Sequence, residues 1–422
     1  MIRLFASIFA FFILQSAALA ETIAITGGKL VTNVNNNMIA NGTVIIRDGR
    51  IIAVGEAGSI TIPQGATQID ASGKWVTPGI FVPFSQTGLV EISAEASTND
   101  IRANKSQLSV ALLAADSFNP KSTNIASTRI EGITRMAVLP DASATIFGGR
   151  GALVNTSGSF DSVTKTPAFL YLRMGEAGAR IAGGSRSAAW GWLRQAIAEA
   201  KTWRRGREPA EPLLSEADAV ALQQALDDDL PFLVGIERAS DIIKLIEFKA
   251  QYDINVIIVG GTEAWMVADE IKAAGIAVIL DPHNNLPQSF ETLGATMYNA
   301  KRLHDAGVSI AIASLGDTTF NTRLSPQHAG NTLATGLPWA AAFHAITTGP
   351  AMIFGVNDTY GRLAPGMVAD VVVWDGDPLE LMTSADVVVL DGKVQSMQSR
   401  QTKLRDRYLS QQQENGLPHG YR

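Results

Sequence analysis

The chain contains no cysteine among its 422 residues. That excludes disulfides, thiolate metal sites and a cysteine nucleophile in one step. Histidine is nearly as scarce: there are five, and none precedes His283. The first half therefore cannot supply the paired imidazoles of a zinc-type site. Basic charge is also short, with 34 Lys and Arg against 40 Asp and Glu, a net charge of −6. Arg3 is the only charge in the first twenty residues, so the remainder is one unit more negative. Nothing basic clusters in a way that would track phosphates, which argues against nucleic acid as a partner. Beyond residue 20 no apolar run approaches the roughly 20 residues of a membrane helix.

What the chain does have begins at its start. Met1-Ile2-Arg3 is followed by an almost wholly apolar run over 4–14, and Ala18-Leu19-Ala20 stands before Glu21. A basic start, a short apolar core and a small-x-small exit mark a cleavable secretory signal. The expectation is secretion, of bacterial style and into the periplasm, after cleavage near Ala20. The plainer alternative is an uncleaved N-terminal anchor.

Over 22–76 short segments alternate apolar and polar residues, with strands expected at 22–26, 43–47 and 51–54. Asp48-Gly49 between two of them is a hairpin turn. After Pro78-Gly79 apolar strand-like runs alternate with helical ones. Strands are expected at 134–139, 168–172, 231–236, 255–259, 276–280 and 308–313. Helices are expected at 188–201, 215–228, 240–251, 263–274 and 286–306, with two more around 327–334 and 338–347. This rhythm means a parallel sheet covered on both faces, and at this length a closed barrel is favoured. Strands return at 369–374, 386–390 and 393–397. The domain expectation is a signal at 1–20, a composite β-sandwich from 21–77 and 358–400, a (β/α) barrel over 78–357, and a polar tail at 401–422.

Three stretches together resemble the amidohydrolase superfamily, especially its imidazolonepropionase-like branch. They are Asn41-Gly42-Thr43-Val44-Ile45-Ile46-Arg47-Asp48-Gly49-Arg50-Ile51-Ile52-Ala53-Val54-Gly55, the segment 70–79 ending Val76-Thr77-Pro78-Gly79, and Gly361-Arg362-Leu363-Ala364-Pro365-Gly366-Met367-Val368-Ala369-Asp370 with its continuation through Pro378. The resemblance implies an α/β fold, a (β/α)₈ TIM-type barrel with a small discontinuous β-sandwich built from both chain ends. It also implies a site at the C-terminal ends of the barrel strands, where histidines, an aspartate and often a carboxylated lysine hold a divalent ion. Registered on Pro78-Gly79, the two histidine positions of the first strand fall on Phe84 and Gln86. Phenylalanine ligates nothing, and a glutamine amide is a weak ligand for a zinc-type ion. If Ser314 sets the register of the last strand, the aspartate position holds Leu315, with Asp317 two residues on.

The site residues that remain are carboxylates and one histidine. Glu237 and Asp317 end strands and could serve acid–base chemistry across the mouth without a metal. Phe84, Gln86 and His283 are the expected ligand-binding residues. Against this, Glu237 could simply pair with Arg238 or another cation, and Asp317 could be a turn or cap residue. His304 and His344 lie in helical patterns, His328 is near a helix start and His419 is in the tail. Gly148-Gly149-Arg150-Gly151 lacks the lysine-hydroxyl pair of a phosphate loop. Gly183-Gly184-Ser185-Arg186 could hold an anion at a helix start but reads better as a connecting loop. Trp190, Trp192 and Trp203 read as packing residues.

The functional expectation is a relative of hydrolases of carbon–nitrogen bonds that has lost its catalytic metal site and acts as a binding or partner subunit. An active hydrolase with a relocated or metal-free site and a periplasmic ligand-binding module are the alternatives. No cofactor is expected, and a divalent zinc-type metal only if its ligands have relocated. The expected partners are a small molecule at the barrel mouth and, for assembly, a homo-oligomer or an active relative.

Overall fold

The computed structural model describes residues 22–35, 37–205 and 210–415. The expected signal at 1–20 and the end of the expected tail lie outside the described residues. No helix among the described residues is long and apolar enough to cross a membrane.

The chain opens with β1 (Thr22–Val31), β2 (Met38–Arg47), β3 (Arg50–Glu56), β4 (Thr67–Asp70) and β5 (Trp75–Pro78). β1 pairs with β4 through Ile23–Thr26 and with β5 through Lys29 and Leu30. Gly27 lies between the two pairings with φ at 80°. A Cβ there would stand 2.6 Å from Ser72 Oγ, so both backbone and space require glycine. Asp48 and Gly49 both take positive φ, the geometry of a tight hairpin between β2 and β3.

The barrel follows as β6 (Ile80–Ser85), β7 (Ile133–Val138), β8 (Phe147–Asn155), β9 (Val163–Arg173), β10 (Phe232–Ile236), β11 (Val256–Gly260), β12 (Ala277–Leu280) and β13 (Ile310–Ile312). These strands neighbour one another in chain order. The gap between β13 and β6 is bridged by backbone: Ile312 N donates to Ala345 O and Phe81 N to Ile346 O, each at 2.9 Å. Helices such as Arg186–Thr202, Glu216–Asp227 and Ala239–Tyr252 cover the outside. The result is a nearly closed TIM-type (β/α)₈ barrel. Finally β14 (Val371–Trp374), β15 (Ala385–Leu390) and β16 (Lys393–Val394) return to the first sheet, whose order is β16-β15-β14-β5-β1-β2-β3. Both chain ends thus build one β-sandwich unit apart from the barrel.

One stretch goes beyond the sequence expectation and another differs from it. Residues 148–151, which lack the lysine-hydroxyl pair of a phosphate loop, belong to β8, a strand not expected there, which runs antiparallel to both β7 and β9. Their glycines make room for aromatic rings, since a Cβ on Gly151 would meet the Phe169 ring at 2.1 Å. The expected long helix at 286–306 is instead a loop with a short 3₁₀ turn, Phe290–Thr292, and the helix Asn299–Asp305. Pro287 lacks the N–H a helix interior needs, and Gly294 loses more backbone freedom on becoming helical, so both raise the cost of a helix here. A Cβ on Gly294 would also meet Met266 at 2.2 Å.

One buried charge network ties the barrel to the sandwich. Arg135 on β7 donates through Nε to Asp370 Oδ2 at 2.6 Å and through Nη2 to Asp370 Oδ1 at 3.1 Å. It also meets Asp391 in the turn before β16 and stacks on Tyr360, 4.3 Å from the ring centre. Removing one partner of a buried pair leaves the other charge unsatisfied, a loss of about 3–5 kcal/mol. Asp370→Ala is therefore expected to lower the unfolding free energy by that amount in urea titrations. Lys74→Ala, which breaks the exposed pair with Asp386, should cost at most about 1 kcal/mol.

Candidate functional site at the barrel mouth

Strand parity decides which side chains reach the mouth. Side chains alternate across a strand, so residues two apart share a face. Phe169 and Tyr171 lie in the barrel interior, which puts Arg173 on the same face at the end of β9. Leu233 lies inside, which carries Gly235 and Glu237 inward. Ala137 and Leu139 lead to Asp141, Ile279 to Asp281, and Ala311 and Ala313 to Leu315. The interior below is apolar and filled, with Phe81 and Phe169 both packed on Phe354 at 5.9 and 5.2 Å between ring centres.

Above that core is a cavity of about 130 Å³ lined by Phe84, Tyr171, Arg173, Glu237, Glu291 and Leu315, among others. Phe84 meets Tyr171 edge to face at 5.4 Å. Burial pushes the Tyr171 phenol up, so it stays protonated. Arg173 donates through Nε to Asp141 Oδ1 at 2.6 Å and through Nη2 to Asp141 Oδ2 at 3.1 Å. Asp141 is itself buried and also takes a hydrogen bond from Ala142 N at 2.9 Å and an ion pair from Arg102. This fork uses two of five guanidinium N–H groups and leaves the rest to point elsewhere.

Glu237 is the distinctive group. Its Oε2 accepts from Thr262 N at 2.9 Å and from Thr262 Oγ1 at 2.6 Å. Burial nevertheless dominates and pushes its carboxyl up to about 7. Gly260 permits this position, because a Cβ there would lie 2.1 Å from Glu237 Oε1. The alternative pairing with Arg238 does not occur; Arg238 instead reaches Asp241 at 2.8 Å. Glu291 is held by Glu176 N at 2.6 Å and Arg186 at 3.1 Å, and burial raises it as well. Arg186 also pairs with Asp241 at 3.0 Å. The helix start it occupies is therefore already neutralised rather than open to an anion.

The other expected residues lie elsewhere. Gln86 stitches β6 to the loop after β13: its backbone N donates to Thr318 O at 2.7 Å, and its Oε1 accepts from Thr318 Oγ1 at 2.6 Å. Asp317 is a turn residue whose Oδ1 accepts from Thr319 N, Thr319 Oγ1 and Phe320 N. Leu315, not Asp317, faces the cavity. His283 stands outside it, with Nε2 2.6 Å from Asn331 Nδ2. Sequence reasoning missed Tyr171, Arg173, Asp141 and Glu291. The first three were accessible by extending two strand patterns to the mouth. Glu291 was hidden by the helix expected around it. The tryptophans pack: Trp190 lies 5.4 Å from Phe248 and Trp192 5.6 Å from Phe147.

The donor set at the mouth does not fit the family's metal. Phe84 and Leu315, at two positions where the resemblance places ligands, are apolar and line the cavity, and Gln86 turns its amide oxygen to a hydroxyl. The carboxyl of Glu237 faces an arginine-bearing cavity with no imidazole lining it.

The Glu237 shift fixes a pH dependence. Its carboxyl is raised in the folded state, so its contribution is fully present below the unfolded value of 4.5 and is lost as pH rises through about 7. Relative to Glu237→Gln, the unmodified chain is expected to lose on the order of 3 kcal/mol of stability over that window in urea titrations at stepped pH. Equal pH profiles for both proteins would contradict a raised carboxyl.

Comparison with known proteins agrees with this geometry. Residues 267–395 match the family model described as Amidohydrolase family. The chain is 22% identical over 401 residues to amidohydrolase tasK of Hapsidospora irregularis, covering 84% of this chain and 40% of tasK. It is 35% identical over 111 residues to the imidazolonepropionase of Paracoccus denitrificans, covering 25% of this chain and 26% of that enzyme. This chain thus spans less than half the length of the curated relatives it matches. Among solved structures, an amidohydrolase from Thermotoga maritima superposes with a TM-score of 0.79 at 23% identity, covering 88% of this chain and 99% of that one. With the barrel, the two-ended sandwich and these matches together, the chain has the fold of the amidohydrolases and is similar to that family in sequence over residues 267–395.

Proposed function

We propose that this chain is an exported binding or partner subunit of amidohydrolase ancestry, which takes a small polar molecule at its barrel mouth without the family's metal. The observation that carries this reading is the pair Phe84 and Leu315. Two apolar side chains line the cavity where the resemblance places ligands for an ion. The polar groups that remain suit recognition. The N–H groups of Arg173 that Asp141 does not take face the cavity beside Tyr171 and can meet a carboxylate or carbonyl. Glu237, raised by burial, can accept from or donate to an amide as pH changes. A cavity of about 130 Å³ suits a small ligand, such as a small amide acid or cyclic imide. The match to two-fifths of tasK supports reading the chain as one part of a larger assembly. The basic, apolar and small-x-small pattern of residues 1–20 supports export.

A second reading has its own observation. A carboxyl near neutrality is matched to acid–base work. In that case Glu237 takes a proton from water as its oxygen bonds to the carbonyl carbon, and returns that proton to the departing nitrogen as the C–N bond breaks.

One experiment separates the two. Small amide acids and cyclic imides are screened by thermal shift on the purified chain, with product followed in parallel. The binding reading expects stabilisation without product, because a ligand bound only to the native state shifts unfolding by mass action. It also expects Arg173→Ala to remove the shift. Turnover that disappears in Glu237→Gln would replace it with the hydrolase reading. For export, the chain recovered from the periplasm is expected to begin at Glu21; a chain still starting at Met1 contradicts cleavage.

A further inference from the structure

Beside the cavity, on the far side of Leu315, lies a cluster that neither reading uses. Asp281 sits at the end of β12, on the strand face that points inward. Its Oδ2 accepts from Leu315 N at 2.9 Å and its Oδ1 from His283 N at 3.0 Å. His328 Nδ1 stands 3.3 Å from the same Oδ1, and His283 Nδ1 stands 4.0 Å from it. One donor atom from each of the three residues falls within 4.8 Å of the others. The two imidazole rings lie 4.0 Å apart, tilted by 47°.

His328 provides the independent sign of a ligand. Its side chain is only 8% exposed, yet Nδ1 makes no hydrogen bond. An orphaned buried nitrogen costs roughly 1–3 kcal/mol unless something satisfies it. Here it is aimed at a carboxylate oxygen with a second imidazole alongside. Donor atoms bound at about 2.0–2.1 Å to a tetrahedral ion lie about 3.3 Å apart. The His328–Asp281 separation already has that value, and His283, partly exposed at the rim, needs only a small shift.

We propose that Asp281, His283 and His328 form a binding site for one divalent zinc-type ion, displaced from the family's usual position to the loop that follows β12 and the helix Ser325–Asn331 that follows β13. Two imidazoles and one carboxylate suit such an ion, and a three-ligand set leaves a coordination position open to water. Asn331 completes the arrangement. With Nδ1 of His283 on the ion, Nε2 carries the proton, and a flipped Asn331 amide accepts it through Oδ1. Asn331 is thus a positioning residue for His283. The site is independent of the Arg173–Glu237 reading, and neither result decides the other.

The test uses the full chain without a histidine tag, incubated with zinc chloride, desalted and measured by elemental analysis and thermal unfolding. About one zinc per chain is expected, with a rise in unfolding temperature that a chelator reverses. Asp281→Asn and His328→Asn should bind at least about tenfold more weakly, and Asn331→Ala about tenfold. His304→Asn, on the helix Asn299–Asp305, should bind as the unmodified chain does. Should the buried variants fail to fold by circular dichroism, His283→Asn gives the same readout from the exposed rim. Zinc far below one per chain, or zinc retained unchanged in the Asp281, His283 and His328 variants, overturns the proposal.

Discussion

The barrel mouth depends on the fork between Asp141 and Arg173. A guanidinium at the end of an inward-facing strand position would otherwise swing into solvent or leave a charge unpaired above an apolar core. Asp141, buried and hydrogen-bonded on both oxygens, holds it in a two-point geometry. Arg173 then stands beside the protonated Tyr171, and both line the cavity with Glu237. Burial acts on that carboxyl more strongly than the hydrogen bonds from Thr262. The polarity of the mouth therefore comes from Arg173, Tyr171 and Glu237.

The same inheritance explains the rest of the molecule. A barrel whose strands all end at one rim aims eight short segments at a common volume, so few substitutions change its chemistry while the scaffold persists. Here Phe84 and Leu315, from opposite ends of the barrel sequence, both line that volume. The scaffold is secured independently, by Arg135 clamping Asp370 and Asp391 and by the backbone bridge through Ala345 and Ile346. The departure at β8 leaves the mouth intact, because the antiparallel excursion still returns the chain to β9 and Arg173.

Much of the fold was legible in the sequence for physical reasons. Near-continuous apolar runs such as 232–236 and 256–260 can be satisfied only in a parallel sheet covered on both faces. Asp48-Gly49 fixed one hairpin through its preference for positive φ. What stayed hidden was non-local. β8 is rich in glycine because rings from β9 fill its side-chain space, and a local pattern cannot show that. Glu291 becomes a mouth residue only because the loop around it is pulled in by Arg186 and the backbone of Glu176. His328 looked ordinary near a helix start, and only the fold sets it against Asp281, nearly fifty residues earlier. Leu315 was the opposite case, since registering the last strand on Ser314 already pointed to it.

On the proposed reading the mouth holds its ligand by side chains without a metal, and the zinc-type ion inferred above belongs to the neighbouring cluster. Anomalous scattering at the zinc edge from crystals grown with zinc tests both halves at once. The expected map has one peak among Asp281, His283 and His328 and none between Phe84, Glu237 and Leu315. A peak inside that cavity would contradict the account.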